Sequence, residues 1–122
     1  MEKTLIKWLK PDFTFHGPQG VLKQLVREGW KQVNVVDYVA GAKTGNHYHK
    51  YNQECFYVIR GGFRLKLWKD GEVEEYLMKP EDMFVVPPGV WHIFEYLEDS
   101  LLVALYDKGV ELSETQKDIW SE

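Results

Sequence analysis

The stretch that decides the fold runs from Gly41 to Gly61 and reads G-A-K-T-G-N-H-Y-H-K-Y-N-Q-E-C-F-Y-V-I-R-G. His47 and His49 lie two residues apart, and on a β-strand this spacing points both imidazoles to the same face of the sheet. Glu54 follows after enough residues for a turn, so the next strand can bring its carboxylate alongside the two rings. Two nitrogens and one oxygen on neighbouring strands are typical of a site for a divalent transition metal.

A second stretch, Glu81 to His92, reads E-D-M-F-V-V-P-P-G-V-W-H. The run Pro87-Pro88-Gly89 is a strong turn signal because proline fixes φ and glycine tolerates a left-handed backbone. A turn at this point would lead His92 onto a strand beside the first stretch. His92 is therefore a candidate fourth ligand.

The rest of the chain consists of short strand-like segments separated by turns. Lys31 to Ala40 is rich in β-branched residues, and Phe63 to Lys69 alternates apolar and charged residues before the hairpin signal Asp70-Gly71. Val21 to Arg27 fits either two helical turns or a strand, and its neighbours favour a strand. Eight or more short strands with glycine and proline turns predict an all-β sandwich or barrel.

The length and the tail define the domain organisation. A chain of 122 residues is long enough for one core but not for two, so we predict a single domain over residues 1–122. Its barrel core covers about residues 31–106, and residues 107–122 form a tail. Ser113 to Gln116 has the form of a capping box, which predicts a short C-terminal helix through Trp120.

Charge and hydropathy exclude several classes of partner. The net charge of −4 is dispersed, and no basic stripe is present, so we expect no nucleic-acid partner. The first ten residues alternate charged and apolar side chains instead of forming a signal peptide, and no apolar run reaches membrane-spanning length. Cys55 is the only cysteine, so no internal disulfide can form. These features predict a cytoplasmic protein without a membrane partner.

Two apolar segments predict a homodimer. Gln53 to Arg60 is apolar on both faces, which is typical of a strand covered on both sides. One cover is the interior of the domain, and a second subunit is a candidate for the other. The N-terminal segment adds Leu5, Ile6, Trp8 and Leu9. A monomer of this size does not comfortably expose so much apolar surface.

These two stretches together resemble the two sequence motifs of the cupins, a family of small jelly-roll barrels. The first motif is matched at Gly41, His47, His49, Glu54 and Gly61, and the second at Pro87, Gly89 and His92. Glu81 replaces the opening glycine of the second motif, and Tyr96 stands where the motif has asparagine. The resemblance spans roughly residues 31–106. It implies a double-stranded β-helix barrel in which His47, His49, Glu54 and His92 bind one divalent transition metal, with zinc, manganese, iron and nickel as candidates.

A closer likeness concerns the phrases G-N-H-Y-H-K, N-Q-E-C-F-Y-V-I-R-G-G and V-P-P-G-V-W-H. They are similar to the cupin modules of nucleotide-sugar epimerases and ketoisomerases, and they imply an isomerase or epimerase that acts on a sugar or sugar nucleotide. Two alternatives remain open, a metal-dependent dioxygenase of a small organic substrate, which the ligand type favours, and a non-catalytic binding or sensing module. Fold alone does not choose among them.

Two further residues are candidates for contact with the small-molecule substrate. Tyr96 lies on the same strand face as His92, where it is a candidate for the pocket wall or for catalysis. Arg60 lies an even number of positions from Glu54 along its strand, which would let it meet an anionic ligand, although an arginine at this point is more often an exposed strand end.

Overall fold

Alternating apolar and polar residues form eleven strands in the computed structural model, which describes residues 4–121. Residues 1–3 and 122, at the ends of the predicted domain, lie outside the described residues. The strands are β1 (Lys7–Trp8), β2 (Phe13–Gly17), β3 (Gly20–Gln24), β4 (Gln32–Tyr38), β5 (Lys43–His47), β6 (Glu54–Arg60), β7 (Phe63–Lys69), β8 (Glu72–Met78), β9 (Met83–Val86), β10 (Trp91–Tyr96) and β11 (Ser100–Tyr106).

The strands pair into two main sheets and one hairpin. The five-stranded sheet has the order β1-β9-β6-β11-β4, the four-stranded sheet has the order β5-β10-β7-β8, and β2 pairs with β3 alone. All the pairings between these strands are antiparallel. The predicted all-β jelly-roll barrel is confirmed, as is the strand in the ambiguous segment after Gly20. Within residues 4–121, no helix is long and apolar enough to cross a membrane.

The main core lies between the two sheets and follows from the period-two pattern of β7. Phe63, Leu65 and Leu67 are fully buried, whereas Arg64 and Lys66 point to solvent. The β7–β8 hairpin turns at Asp70-Gly71, where both residues have positive φ, as a type I′ turn requires. From the opposite sheet, buried side chains of β6, β9 and β11 pack on the same cluster. Truncating one of these large side chains to alanine typically costs about 2–5 kcal/mol.

A bulge in β6 changes which side chains face the interior. Val58 pairs with Leu102, but Arg60 pairs with Leu101, so Ile59 is an extra residue on its strand. Such a bulge interrupts the alternation of side chains, and both Ile59 and Arg60 are exposed. Arg60 therefore does not share the face of Glu54, contrary to the parity argument.

The outer face of the five-stranded sheet is covered by the chain itself. Cys55 and Tyr57 of β6 are buried there beneath residues that include Leu25, Val26 and Trp30. The residues that cover the outer face of β6 thus belong to the same chain. The apolar side chains on both faces of this strand are therefore no evidence for a second subunit.

The predicted C-terminal helix is not seen in the described residues. Ser113 does act as a cap, because its Oγ accepts the amide hydrogens of Thr115 and Gln116 at 3.3 and 3.1 Å. The Gln116 carbonyl, however, accepts hydrogen bonds from the backbone amides of Leu112 and Ser113, which closes a tight turn. Trp120, the predicted helix end, instead forms an antiparallel bridge with Tyr48.

Asp118 fastens this tail to the loop between β5 and β6. Its fully buried carboxylate accepts the backbone amide hydrogens of Lys50, Tyr51 and Asn52 at 2.8–3.0 Å. Burial alone would raise the pKa of this carboxyl, but hydrogen bonds from Asn52, Lys50, Trp120 and Tyr51 outweigh it and lower the pKa to about 2. The ionised form is therefore the one that stabilises the fold.

We expect this carboxylate to make part of the stability acid-sensitive. Because its pKa is depressed on folding, the contribution is fully present above the unfolded pKa near 4 and is lost as the pH falls towards 2. Urea denaturation of the wild-type protein should show a loss on the order of 2 kcal/mol across this window that the Asp118→Asn variant lacks. Parallel stability curves for the two proteins would contradict the assignment.

Candidate metal centre

A bulge at the end of β5 places His47, the first predicted ligand, against β10. His92 pairs with His47, but Ile93 pairs with Gly45, so Asn46 is the extra residue and has a left-handed φ of 63°. Gly45, with φ of 101°, allows the two strands to approach, because a Cβ at this position would lie 2.6 Å from the His92 carbonyl oxygen. The rings of His47 and His92 are consequently brought to a centroid distance of 4.7 Å.

Four side chains converge at this point, from β5, the loop that follows it, β6 and β10. His47, His49 and His92 each offer a ring nitrogen, and these nitrogens lie within 4.8 Å of one another. Glu54 Oε1 lies 3.1 Å from His49 Nε2 and 3.5 Å from His92 Nε2. The structure thus brings the four predicted ligands together, and the three histidines could hold a metal ion.

The outer hydrogen bonds of two rings determine what the inner nitrogens can do. His49 Nδ1 bonds to the Asp118 carbonyl oxygen, and His92 Nδ1 bonds to the Val90 carbonyl oxygen at 3.1 Å. A carbonyl can only accept, so each Nδ1 carries a hydrogen, and in a neutral ring the Nε2 lone pair points to Glu54. A proton on His49 Nε2 satisfies the 3.1 Å contact with Glu54, as the raised pKa of His49 indicates, and a bound metal cation would take its place. This donor set fits a divalent transition metal.

Burial and neighbouring charges set the ionisation of the four groups. Burial, followed by the charges of His92 and His49, lowers the pKa of His47 to about 4, and burial also lowers the pKa of His92. Burial alone would lower the pKa of His49, but the hydrogen bond and the charge of Glu54 outweigh burial and raise this pKa. Burial alone would raise the pKa of Glu54, but the neighbouring histidines outweigh burial and lower this pKa. Glu54 is thus anionic at neutral pH, while His47 and His92 are neutral.

A cavity of about 160 Å³ lies next to this cluster and is lined by His47, Glu54 and His92. Tyr96 also lines the cavity, as predicted for a pocket wall, and burial raises its pKa to about 12. Arg60 is exposed and is not among the lining residues.

Two residues near the cluster were not assigned to the site from the sequence. Tyr106 lines the cavity and hydrogen-bonds to Glu54, and burial raises its pKa. Only its place at the end of an apolar run could have signalled it. Asp118 lies far along the chain in a polar tail and carries no local signal of its contact with His49.

Comparison with known proteins places these features in context. The sequence model described as the Cupin domain matches residues 34–106. A 3-hydroxyanthranilate 3,4-dioxygenase of Burkholderia lata is 41% identical over 59 residues, which cover 48% of this chain and 34% of that protein. The match therefore spans about a third of the length of this curated relative.

Two solved structures share the architecture. The sugar 3,4-ketoisomerase QdtA from Thermoanaerobacterium thermosaccharolyticum, in complex with TDP, superposes with a TM-score of 0.78 at 19% identity, covering 97% of this chain and 88% of that one. The capsular polysaccharide assembling protein CapF from Staphylococcus aureus superposes with a TM-score of 0.65 at 25% identity over 73% of this chain and 25% of that chain. At this level of identity, the likeness shows the fold.

Proposed function

The chain belongs to the cupin family, and from this premise we propose that it is a metal-dependent enzyme acting on a small organic molecule. The observation that carries the proposal is the contact between the anionic Glu54 carboxylate and the Nε2 atoms of His49 and His92. The proposed ligands of one divalent transition metal are His47, His49, Glu54 and His92. Bound there, the metal would supply a Lewis acid with coordination positions open to a substrate or dioxygen.

The protein groups around this position hold the ligands in place and restrict water. Backbone carbonyls fix the ring orientation of His49 and His92 through Nδ1, and the hydrogen bond with Tyr106 restrains the Glu54 carboxylate. Phe56 and Phe94 line the cavity beside the cluster and lower its polarity. A site held in this way is pre-organised for catalysis, and the barrel, which has its own apolar core, does not need a bound metal to fold.

Dioxygenase chemistry is the reaction class that this geometry supports best. An isomerase or epimerase needs a group that removes a proton from carbon. Among the described residues that line the cavity, the titratable groups other than the proposed ligands are tyrosines, and the pKa values of Tyr96 and Tyr106 are raised. Both phenols are therefore protonated at neutral pH and are poor bases. The partial match to 3-hydroxyanthranilate 3,4-dioxygenases adds support, and the small cavity suits a compact substrate.

A second candidate is isomerase or epimerase action on a sugar nucleotide. Its support is the similarity of nearly the whole chain to a ketoisomerase structure that contains TDP. In this reading, the cavity would take the sugar ring, and Tyr96 or Tyr106 would carry a proton. The two candidates therefore assign different importance to the same hydroxyl groups.

The metal ligands can be tested by titration. We expect protein freed of metal by chelation to bind one equivalent of zinc, manganese, iron(II) or nickel. The double variant His47→Ala with His49→Ala should lose this binding, because half of the donor set is removed. Arg60→Ala is the matched control, since its side chain lies outside the cavity. An unchanged stoichiometry in the double variant would refute the assignment.

The reaction class can be tested with the metal-loaded protein. We expect oxygen uptake with 3-hydroxyanthranilate or related small aminophenols and catechols, and no turnover of TDP-linked keto sugars. The Tyr96→Phe variant should retain most of this activity, whereas an isomerase that uses the Tyr96 hydroxyl would lose at least about a hundredfold in kcat. Sugar turnover without oxygen uptake would favour the second candidate, and binding without turnover of either class would indicate a non-catalytic module.

We also propose that two chains associate through β4. This strand is the edge of the five-stranded sheet, and its outward-facing Val33 and Val35 are 63% and 70% exposed. Exposed β-branched residues on a free edge strand are a surface for pairing with another copy.

Light scattering at micromolar concentration should give about twice the 14.4 kDa mass of the chain. We expect Val35→Lys to shift the protein towards the monomer by placing a charge in the interface. Val73→Lys is the matched control, because Val73 is 58% exposed on the far edge of the other sheet. A wild-type mass near that of one chain would exclude this association.

A further inference from the structure

The Asp118 carboxylate collects five hydrogen bonds in a fully buried position. Three come from the backbone amides of Lys50, Tyr51 and Asn52, one from the Asn52 side-chain amide at 2.8 Å and one from Trp120 Nε1 at 2.8 Å. The three consecutive amides belong to the loop between His49 and Glu54. The carboxylate thus sets the conformation of the segment that separates two proposed metal ligands.

The backbone of the same residue reaches the metal cluster directly. Its carbonyl oxygen accepts the Nδ1 hydrogen of His49, which makes Nε2 the ring nitrogen that faces Glu54 and would bind a metal. Next to this bond, Tyr48 and Trp120 exchange two backbone hydrogen bonds of 2.9 and 3.0 Å. The tail therefore runs beside the strand end that carries His47 and His49.

The segment before Asp118 has little burial of its own. Every residue from Glu111 to Lys117 is exposed, and Asp118 is the first buried residue after them. Its amide also donates to the Val110 carbonyl oxygen at 2.7 Å, so the exposed segment is closed at its base. The hydrogen bonds of the Asp118 carboxylate and the Tyr48–Trp120 bridge together hold the Asp118 carbonyl oxygen in place, and the carboxylate makes the larger number of these bonds.

We propose that Asp118 is a positioning residue of the metal centre, whose carboxylate fixes the carbonyl oxygen that orients the His49 ring and selects its tautomer. This inference rests on the proposed metal-dependent function. Residues that hydrogen-bond to metal ligands tune ligand orientation and basicity, and their loss typically costs 10- to 100-fold in metal affinity. Asp118 bonds both to the loop between the ligands and to a ligand ring.

The test is cobalt(II) binding to the full chain, followed by titration of the visible spectrum. Asp118→Asn retains the size of the side chain but cannot accept all five hydrogen bonds. We expect its cobalt affinity to fall about 10- to 100-fold, with an altered spectrum. Asp107→Asn is the matched control. Asp107 stands at the start of the same tail and accepts hydrogen bonds from Gln53, but no hydrogen bond within the described residues joins its carboxylate to a histidine. It should bind cobalt like the wild type.

A double-mutant cycle separates positioning from general destabilisation. If Asp118 acts through His49, Asp118→Asn should have no further effect on the cobalt affinity of a His49→Ala protein. An equal loss in both backgrounds would overturn the proposal. Should Asp118→Asn fold poorly, Trp120→Phe removes only one of the five hydrogen bonds and should give a smaller loss that the same cycle can assign.

Nitrogen NMR of the histidine rings in the metal-free protein distinguishes this inference from the proposed function. The His49 ring should carry a protected Nδ1 hydrogen in the wild type and lose that protection in Asp118→Asn. If the wild type binds no cobalt but shows this change, the metal function fails while the positioning of the ring stands. If Asp118→Asn leaves the Nδ1 hydrogen protected, the positioning role is wrong whatever the metal result.

Discussion

An anionic carboxylate buried among imidazoles is the constraint on which the rest of this structure depends. Glu54 is 5% exposed, and an isolated carboxylate in such a place would be too costly to keep charged. The charge is tolerated because His49 and His92 lie within contact distance of one oxygen. Breaking a buried charged group away from its partners typically costs about 3–5 kcal/mol, so the barrel must deliver both rings to the same point.

Local irregularities of the strands meet this requirement. The extra residue Asn46 and the close approach at Gly45 bring the end of β5 against β10. The bulge at Ile59 has the opposite effect, since it turns Arg60 away from the interior, and the cavity beside Glu54 has no arginine or lysine among its described lining residues. Regular strands would have produced a different pocket. The positions where the sheets depart from ideal pairing therefore help to determine which side chains line the cavity.

Much of the fold and of the ligand cluster could be predicted from the sequence because the signals are local. The alternation in β7, the Asp70-Gly71 turn and the spacing of His47 and His49 each lie within a few residues. Long-range effects were not visible. The prediction that Arg60 shares the face of Glu54 was wrong because a bulge depends on the partner strand. The capping box at Ser113 forms a turn instead of a helix because the residues that follow bond to the loop after β5. The contribution of Asp118 was missed for the same reason.

The bond between His49 and Asp118 also bears on how the protein reaches its native state. The two residues are 69 positions apart, so their contact closes a long loop. The conformational entropy lost in closing this loop opposes the stabilisation that the hydrogen bond provides. Pairing of the strands between them shortens that loop, and the tail then docks at a smaller entropic cost. We therefore expect the barrel to form first and the metal centre to gain its final geometry late in folding, which would leave a partly folded chain with histidines in place but not yet held for ligation.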